Sequence, residues 1–291
     1  MNRQTGTATP ARPAPVVNFL SIDVEDYFQV EGFDQVVREA DWERHEPRFH
    51  LGLEWLLQVL DSVRIKATFF VLGWLAERHP QEIREIIRKG HEIGVHGYYH
   101  RRIDTQTPES FAAELRRALE VLRGLGAAGI RGHRAPSFSI TPAAAWAWSI
   151  LRDGGLSYDA SLSVRHFPAG REPWTRPDPG PQRLQLSGGE PFLVFPQAYL
   201  PGLARFPFAG GGFFRLYPYA LTRWGIRAWN RRGVPVTVYV HPWEFDPDQP
   251  RFPAPALRRW KHYVNLETNR EKFAQLLQDF SFRPLGSYHE E

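Results

Sequence analysis

The sequence contains no cysteine. That removes disulfides, thiolate metal sites and cysteine nucleophiles together, so any metal must be held by histidine, aspartate or glutamate. It has no apolar run near the ~18 residues a membrane helix needs, so no part of it is expected to span a bilayer. A block of basic residues is missing too. The 36 Lys and Arg are spread along the chain against 32 Asp and Glu, giving a formal charge of only +4, which argues against a nucleic-acid partner. The opening MNRQTGTATPARPAP lacks the apolar core of a secretion signal and reads as a flexible tail over residues 1–15. On that basis the cytoplasm is the default location, although the lack of cysteine suits a periplasmic protein equally. Aromatic residues, by contrast, are abundant: 14% of the chain, with ten tryptophans. Most belong in a core, but such a surplus also suits a groove where ring faces stack on sugars.

The 291 residues are enough for one large domain or two ordinary ones. Val16 to Ile22 reads as a buried strand, and Leu53, Leu56, Leu57 and Leu60 come next at helical spacing. Ala67 to Leu72 is the next strand, Ile83, Ile86 and Ile87 mark a helix closed by Gly90, and Glu92 to Val95 is a short strand. Thr107-Pro108 and Thr141-Pro142 both look like helix starts, Thr as the cap and Pro in the first turn. Further strand candidates lie at Ile130, Leu156–Tyr158, Phe192–Phe195 and Val234–Val240, with a final helix near Glu267–Phe280. This βαβαβα order predicts an α/β fold, a parallel sheet or barrel with helices outside. Residues 165–191 and 201–212 read as long loops over one face, 246–262 as an irregular segment, and Gly210-Gly211-Gly212 as a tight turn.

The residues directly behind each strand are the informative ones. Behind the first stand Asp23, Glu25 and Asp26; behind Glu92–Val95 stands His96-Gly97-Tyr98-Tyr99-His100. His133 and Arg134 come after Ile130, Asp159 after Leu156–Tyr158, and His241-Pro242-Trp243-Glu244 after Val234–Val240. In parallel β/α folds the carboxyl ends of the strands share one face, where active sites are built. HxxxH alone carries little, since 11 histidines in 291 positions give about 0.4 such pairs by chance. On a helix its two rings would lie one turn apart and could share a metal. Together with a carboxylate they make a set that leaves metal positions open for water and substrate, with zinc the default divalent ion.

SIDVED, HGYYH, RAPSF, DAS and VYVHPWE, in this order, resemble the five motifs of the NodB-type polysaccharide deacetylases, carbohydrate esterase family 4. The longer spellings DVEDYFQV, ATFFVLGWLAERHP and HPWEFDPDQP are similar to the exosortase-associated exopolysaccharide deacetylases. The resemblance implies a distorted (β/α) barrel of about seven strands over residues 16–245, with residues 246–291 as an extension packed on it. It also implies metal-dependent hydrolysis of N-acetyl groups on the amino sugars of an exopolysaccharide or its precursor. Position by position, His96 and His100 match the metal histidines. Asp23 matches the base that activates the water held at the metal, and Arg134 the arginine that holds this base. His241 matches the acid that protonates the leaving amine, and Asp159 the carboxylate that orients and charges that acid.

Two departures stand out. Val24 separates carboxylates that are adjacent in the usual first motif, so the metal carboxylate is Glu25 or Asp26: a continuing strand points Asp23 and Glu25 the same way, while a strand ending at Asp23 leaves Asp26 equally placed. Ser137 stands between the proline and the aromatic of the third motif. Two other functions are open to such a chain: a sugar-binding protein of the same fold without catalysis, and a glycoside hydrolase using paired carboxylates without metal.

Overall fold

The computed structural model describes residues 15–186, 191–202 and 206–288, so all of the expected tail except Pro15 lies outside the described residues. Strand β1 (Asn18–Val24) is buried along its whole length, which is why it reads as a run rather than an alternation. Leu20, Ile22 and Val24 join the main apolar cluster, while Phe19 packs with Phe70 and Tyr158 in a second cluster. Ser21 and Asp23, in phase with Phe19, both meet Arg134. One face of β1 therefore carries aliphatics and the other carries a polar column that ends at Asp23.

The chain continues through α1 (Phe49–Ser62), β2 (Thr68–Val71), α2 (Gly73–Arg78), α3 (Pro80–Arg88), β3 (Glu92–Val95), α4 (Pro108–Gly124) and β4 (Gly132–His133). Then come α5 (Ala147–Asp153), β5 (Tyr158–Asp159), β6 (Gln182–Leu184), β7 (Phe192–Val194), α6 (Gly211–Leu216) and α7 (Tyr219–Asn230). Strand β8 (Thr237–Val240), α8 (Ala256–Tyr263), α9 (Leu266–Asp279) and β9 (Phe282–Arg283) complete it. The strands form one sheet in the order β6-β7-β5-β4-β3-β2-β1-β8, with β9 beside the start of β1. All neighbours are parallel except β6 with β7, so eight of the nine strands run parallel in the curled sheet, where about seven strands were expected. Two further bridges, Tyr199 with Pro207 and Gly210 with Tyr239, carry the irregular segment between β7 and β8. Among the described residues no helix is long and apolar enough to cross a membrane.

Several local expectations change. Thr107 caps α4 in a reciprocal box: its hydroxyl accepts from the Ser110 N–H while the Ser110 hydroxyl accepts from the Thr107 N–H. Thr141 makes no such bond; its proline opens only a 3-10 turn (Pro142–Ala144), and α5 starts later. The segment 246–262 is not wholly irregular: its prolines end at Pro255, and α8 forms in the proline-free run directly behind them. The long loop 165–191 contributes the edge strand β6, and the glycine run opens α6.

The turn after β8 (Pro242–Phe245) is held from two sides. Helix α9 approaches it through Phe273 on Phe245, and Asn269 donates to the Glu244 carbonyl at 3.1 Å. Helix α1 approaches so closely that a Cβ on Gly52 would lie 1.9 Å from the Pro242 carbonyl oxygen. Gly52→Ala should therefore cost about 1–3 kcal/mol by forcing the two apart. Denaturant unfolding of the variant checks this, and unchanged stability would mean the turn yields freely.

Candidate active site

Four of the five strand-end segments meet at the carboxyl end of β1. Arg134, just after β4, donates from Nη1 to Asp23 Oδ2 at 3.0 Å and from Nη2 to Ser21 Oγ at 3.1 Å. Both partners are nearly inaccessible, with Asp23 2% and Arg134 1% exposed. A guanidinium so deep needs its charge met and its faces covered. Asp23 meets the charge, and Phe70, Phe138 and Tyr239 lie 4.9–5.2 Å from its carbon. Ser137 and Phe138 both adopt left-handed backbone, φ 55° and 54°. The residue inserted into the third motif is absorbed by that local strain, and Phe138 still reaches the guanidinium.

The main-chain carbonyl of Arg134 has a second task. It accepts from His96 Nδ1 at 2.7 Å, and because a carbonyl can only accept, Nδ1 carries the proton. If His96 is neutral, its Nε2 then turns a lone pair toward Glu25 Oε1, 3.0 Å away, and His100 Nε2 lies 3.1 Å from the same oxygen. A lone pair facing a carboxylate repels it unless a cation lies between them. Ligand bonds of about 2.0–2.2 Å meeting near right angles span ~3 Å, so these donors fit a divalent ion. Burial would raise the Glu25 carboxyl, but the charges of His100 and His241 and the histidine hydrogen bonds outweigh it and hold the group well below its usual range.

The two histidines do not sit on a helix as their spacing suggested. They lie on a loop after β3, with Gly97 at φ 77° and His100 at φ 56°. Its turn is held from outside: the first N–H groups of α2, at Gly73 and Trp74, donate to the carbonyls of Gly97 and Tyr98. Glu114 of α4 accepts from the N–H groups of Tyr98 and Tyr99 at 3.0 and 2.9 Å.

Asp26, the other carboxylate considered for the metal, is directed elsewhere. Its Oδ2 accepts from the N–H groups of Arg48 and Phe49, at 2.7 and 3.1 Å, and its Oδ1 from Tyr27. It caps the start of α1 instead of joining the histidines.

His241 stands just after β8, with Nε2 3.7 Å from Glu25 and 3.9 Å from Asp23. Its Nδ1 is 3.0 Å from Glu244, which also accepts the His241 backbone N–H and is paired with buried Arg215 at 2.7 Å. Asp159, expected in the orienting role, is not beside this ring. Its oxygens take His133 Nδ1 (2.8 Å), Trp148 Nε1 (3.1 Å) and the N–H and hydroxyl of Ser161. Ser161 in turn accepts the Ala135 N–H, so Asp159 braces the Arg134 segment from below. Glu244 replaces it because three residues after His241 the chain turns back in a 3-10 turn.

Burial would lower the His241 pKa, but the charges of Glu25, Glu244 and Asp23 and the Glu244 hydrogen bond raise it to about 9. Burial would likewise raise Glu244, yet His241 and Arg215 hold it at about 2. Behind His241 stand Trp243, stacked at 5.4 Å, and His262 of α8, stacked on Trp243 at 4.2 Å. Composition gave no sign of His262 or Arg215, which act through contacts made only by the fold. Glu244 at i+3 from His241 was the one readable signal.

Asp23, Glu25, His96, His100 and His241 all open into one cavity of ≈ 560 Å³. Residues 52–156 match the family model described as polysaccharide deacetylase, and residues 164–290 match one described as a domain of unknown function (DUF3473). The chain is 29% identical over 154 residues to a peptidoglycan deacetylase-like protein of Gibberella zeae, covering 47% of this chain and 45% of that protein. It is 31% identical over 125 residues to a chitooligosaccharide deacetylase of Sinorhizobium fredii, covering 42% and 53%. The chain spans about half the length of the curated relatives it matches. Among solved structures, a Mycobacterium smegmatis protein assigned to the polysaccharide deacetylases superposes with TM-score 0.63 over 98% of this chain and 93% of that one, at 21% identity. An allantoinase superposes with TM-score 0.59 over 96% and 90%, at 14% identity. Those two likenesses concern the fold alone. Residues 52–156 thus carry the match to the polysaccharide deacetylases, the NodB, carbohydrate esterase 4 type, and the two solved structures add a shared fold.

Proposed function

We propose that the protein removes N-acetyl groups from amino sugars of an exopolysaccharide or its lipid-linked precursor, in a metal-dependent hydrolysis. One observation carries the reading: a single carboxylate oxygen of Glu25 faces two imidazole nitrogens, with an acid–arginine pair and an acid–histidine pair close by. The named deacetylases among its relatives and the five ordered sequence motifs support the substrate class. The same motifs support a barrel over residues 16–245 with 246–291 as its extension.

A divalent cation held by Glu25, His96 and His100, zinc by default for this donor set, would polarise the acetyl carbonyl and lower the pKa of water at the site. Asp23, fixed by Arg134, takes a proton from the attacking water as its oxygen bonds the carbonyl carbon. His241 keeps its Nδ1 proton on Glu244 and delivers the Nε2 proton to the departing nitrogen. The C–N bond breaks, leaving acetate and a free amine on the sugar.

The test is acetate release from N-acetylglucosamine oligomers with and without chelator, read together with chain length. Acetate lost on chelation is expected; chain shortening without acetate would indicate a glycoside hydrolase instead. The assignment of His241 also fixes a pH dependence. An acid must be protonated, so activity falls as pH rises through its pKa, which Glu244 raises. Glu244→Gln removes that charge, and the alkaline limb of kcat/KM should move to lower pH by about one unit or more. An unmoved limb would mean that His241 is not the group titrating.

A further inference from the structure

The floor of the cavity is charge-balanced, but its rim is not. Asp23 is paired with Arg134, and Glu31, also lining the cavity, is paired with Arg102, which Asp104 holds as well. Buried Arg215 belongs to Glu244. Three further cations line the same cavity: Arg165, Arg258 and Lys261. Among the described residues none of them makes an ion pair within 4 Å. Arg258 donates only to the Gly32 carbonyl, at 3.1 Å, and Asp34 feels its charge without pairing.

The sequence around two of these cations is one-sided. Residues 251–264 (RFPAPALRRWKHYV) hold Arg251, Arg258, Arg259 and Lys261 and no carboxylate. Trp260 of α8 lines the cavity yet is 50% exposed, a large ring left to solvent between Arg258 and Lys261. Unpaired cations around a concave site focus its potential and favour negative ligands. An exposed indole offers a flat face for a sugar ring.

We propose that this rim selects sugar chains bearing an anionic group, a carboxylate or a phosphate, close to the acetylated residue. Trp260 is the platform and Arg165, Arg258 and Lys261 are the countercharges. The inference rests on the deacetylase reading of the same site and names its substrate class more narrowly.

Three probes of equal length test it on the full chain: a neutral N-acetylglucosamine tetramer, a tetramer alternating N-acetylglucosamine with glucuronic acid, and an N-acetylglucosamine tetramer ending in a phosphate. The measurements are kcat/KM for acetate release and calorimetric Kd, each at low and high salt. The charged probes should exceed the neutral one by about tenfold or more, since several partly exposed charge pairs each add a small factor. The gain should lie in KM and Kd, shrink at high salt, and fall toward one in the triple variant Arg165→Gln, Arg258→Gln, Lys261→Gln. Which charged probe holds the advantage identifies carboxylate or phosphate. Trp260→Ala should weaken all three probes alike.

Equal handling of charged and neutral probes by the wild type would overturn the inference while chelator-sensitive acetate release preserved the deacetylase reading. Charge-dependent binding without acetate from any probe would do the reverse. If the triple substitution lowers binding to anionic lipid vesicles but leaves the probe ratios as they are, the rim faces a membrane surface and the substrate inference falls.

Discussion

Asp23→Asn should reduce the rate of acetate release by about three orders of magnitude, within the range a general base contributes, while metal content stays at the wild-type level. Asparagine keeps the size of the side chain and an oxygen to accept from Arg134, but it has no basic oxygen to take a proton from water. Asp23 also lies outside the group formed by Glu25, His96 and His100, although it joins Glu25 and His241 in a second one, so the three proposed donors are untouched. The buried guanidinium does lose its countercharge, so some stability should go as well. Metal analysis and turnover on the same preparation separate these effects. Near-wild-type turnover would remove Asp23 from the mechanism, and loss of metal would place it among the ligands.

The second large effect divides two neighbouring acids. Glu25→Ala should weaken metal binding by more than about 10²-fold, because even outer partners of metal ligands account for 10–100-fold. Asp26→Ala should keep the metal and instead lose about 0.5–2 kcal/mol of stability, the cost of removing a helix cap. Isothermal metal titration and denaturant unfolding of both variants make the comparison. The opposite pattern, with Asp26→Ala losing metal and Glu25→Ala retaining it, would reverse the assignment made from the hydrogen bonds of Arg48 and Phe49.

Why one acid of this pair was ambiguous in the sequence, and others were not, has a physical explanation. Strand order and the residues behind each strand were legible because a parallel sheet sends every strand end to one face. Asp23, His96, Arg134 and His241 follow from that rule together with the family resemblance. What the sequence left open depended on where β1 stops: it runs to Val24, so Asp23 and Glu25 share a side and Asp26 turns toward α1. The exchange of Asp159 for Glu244 was signalled only by the i+3 spacing from His241, because both come after strands and the 3-10 turn after His241 decides which carboxylate reaches the ring. HxxxH misled for a related reason. Its spacing fits a helix turn, but Gly97 and the N–H groups of α2 shape a loop that brings the two nitrogens equally close to Glu25.

Arg134 ties two halves of the site to one residue by different chemistry. Its side chain fixes Asp23, whereas its peptide carbonyl sets the tautomer of His96, and any amino acid at that position would supply the carbonyl. Under the proposed mechanism, a single codon change at Arg134 would silence the base and leave the carbonyl that orients His96 in place. Hydrolysis would, on that mechanism, be easier to lose here than the capacity to hold a metal. A lineage could drift from enzyme to receptor through this one position.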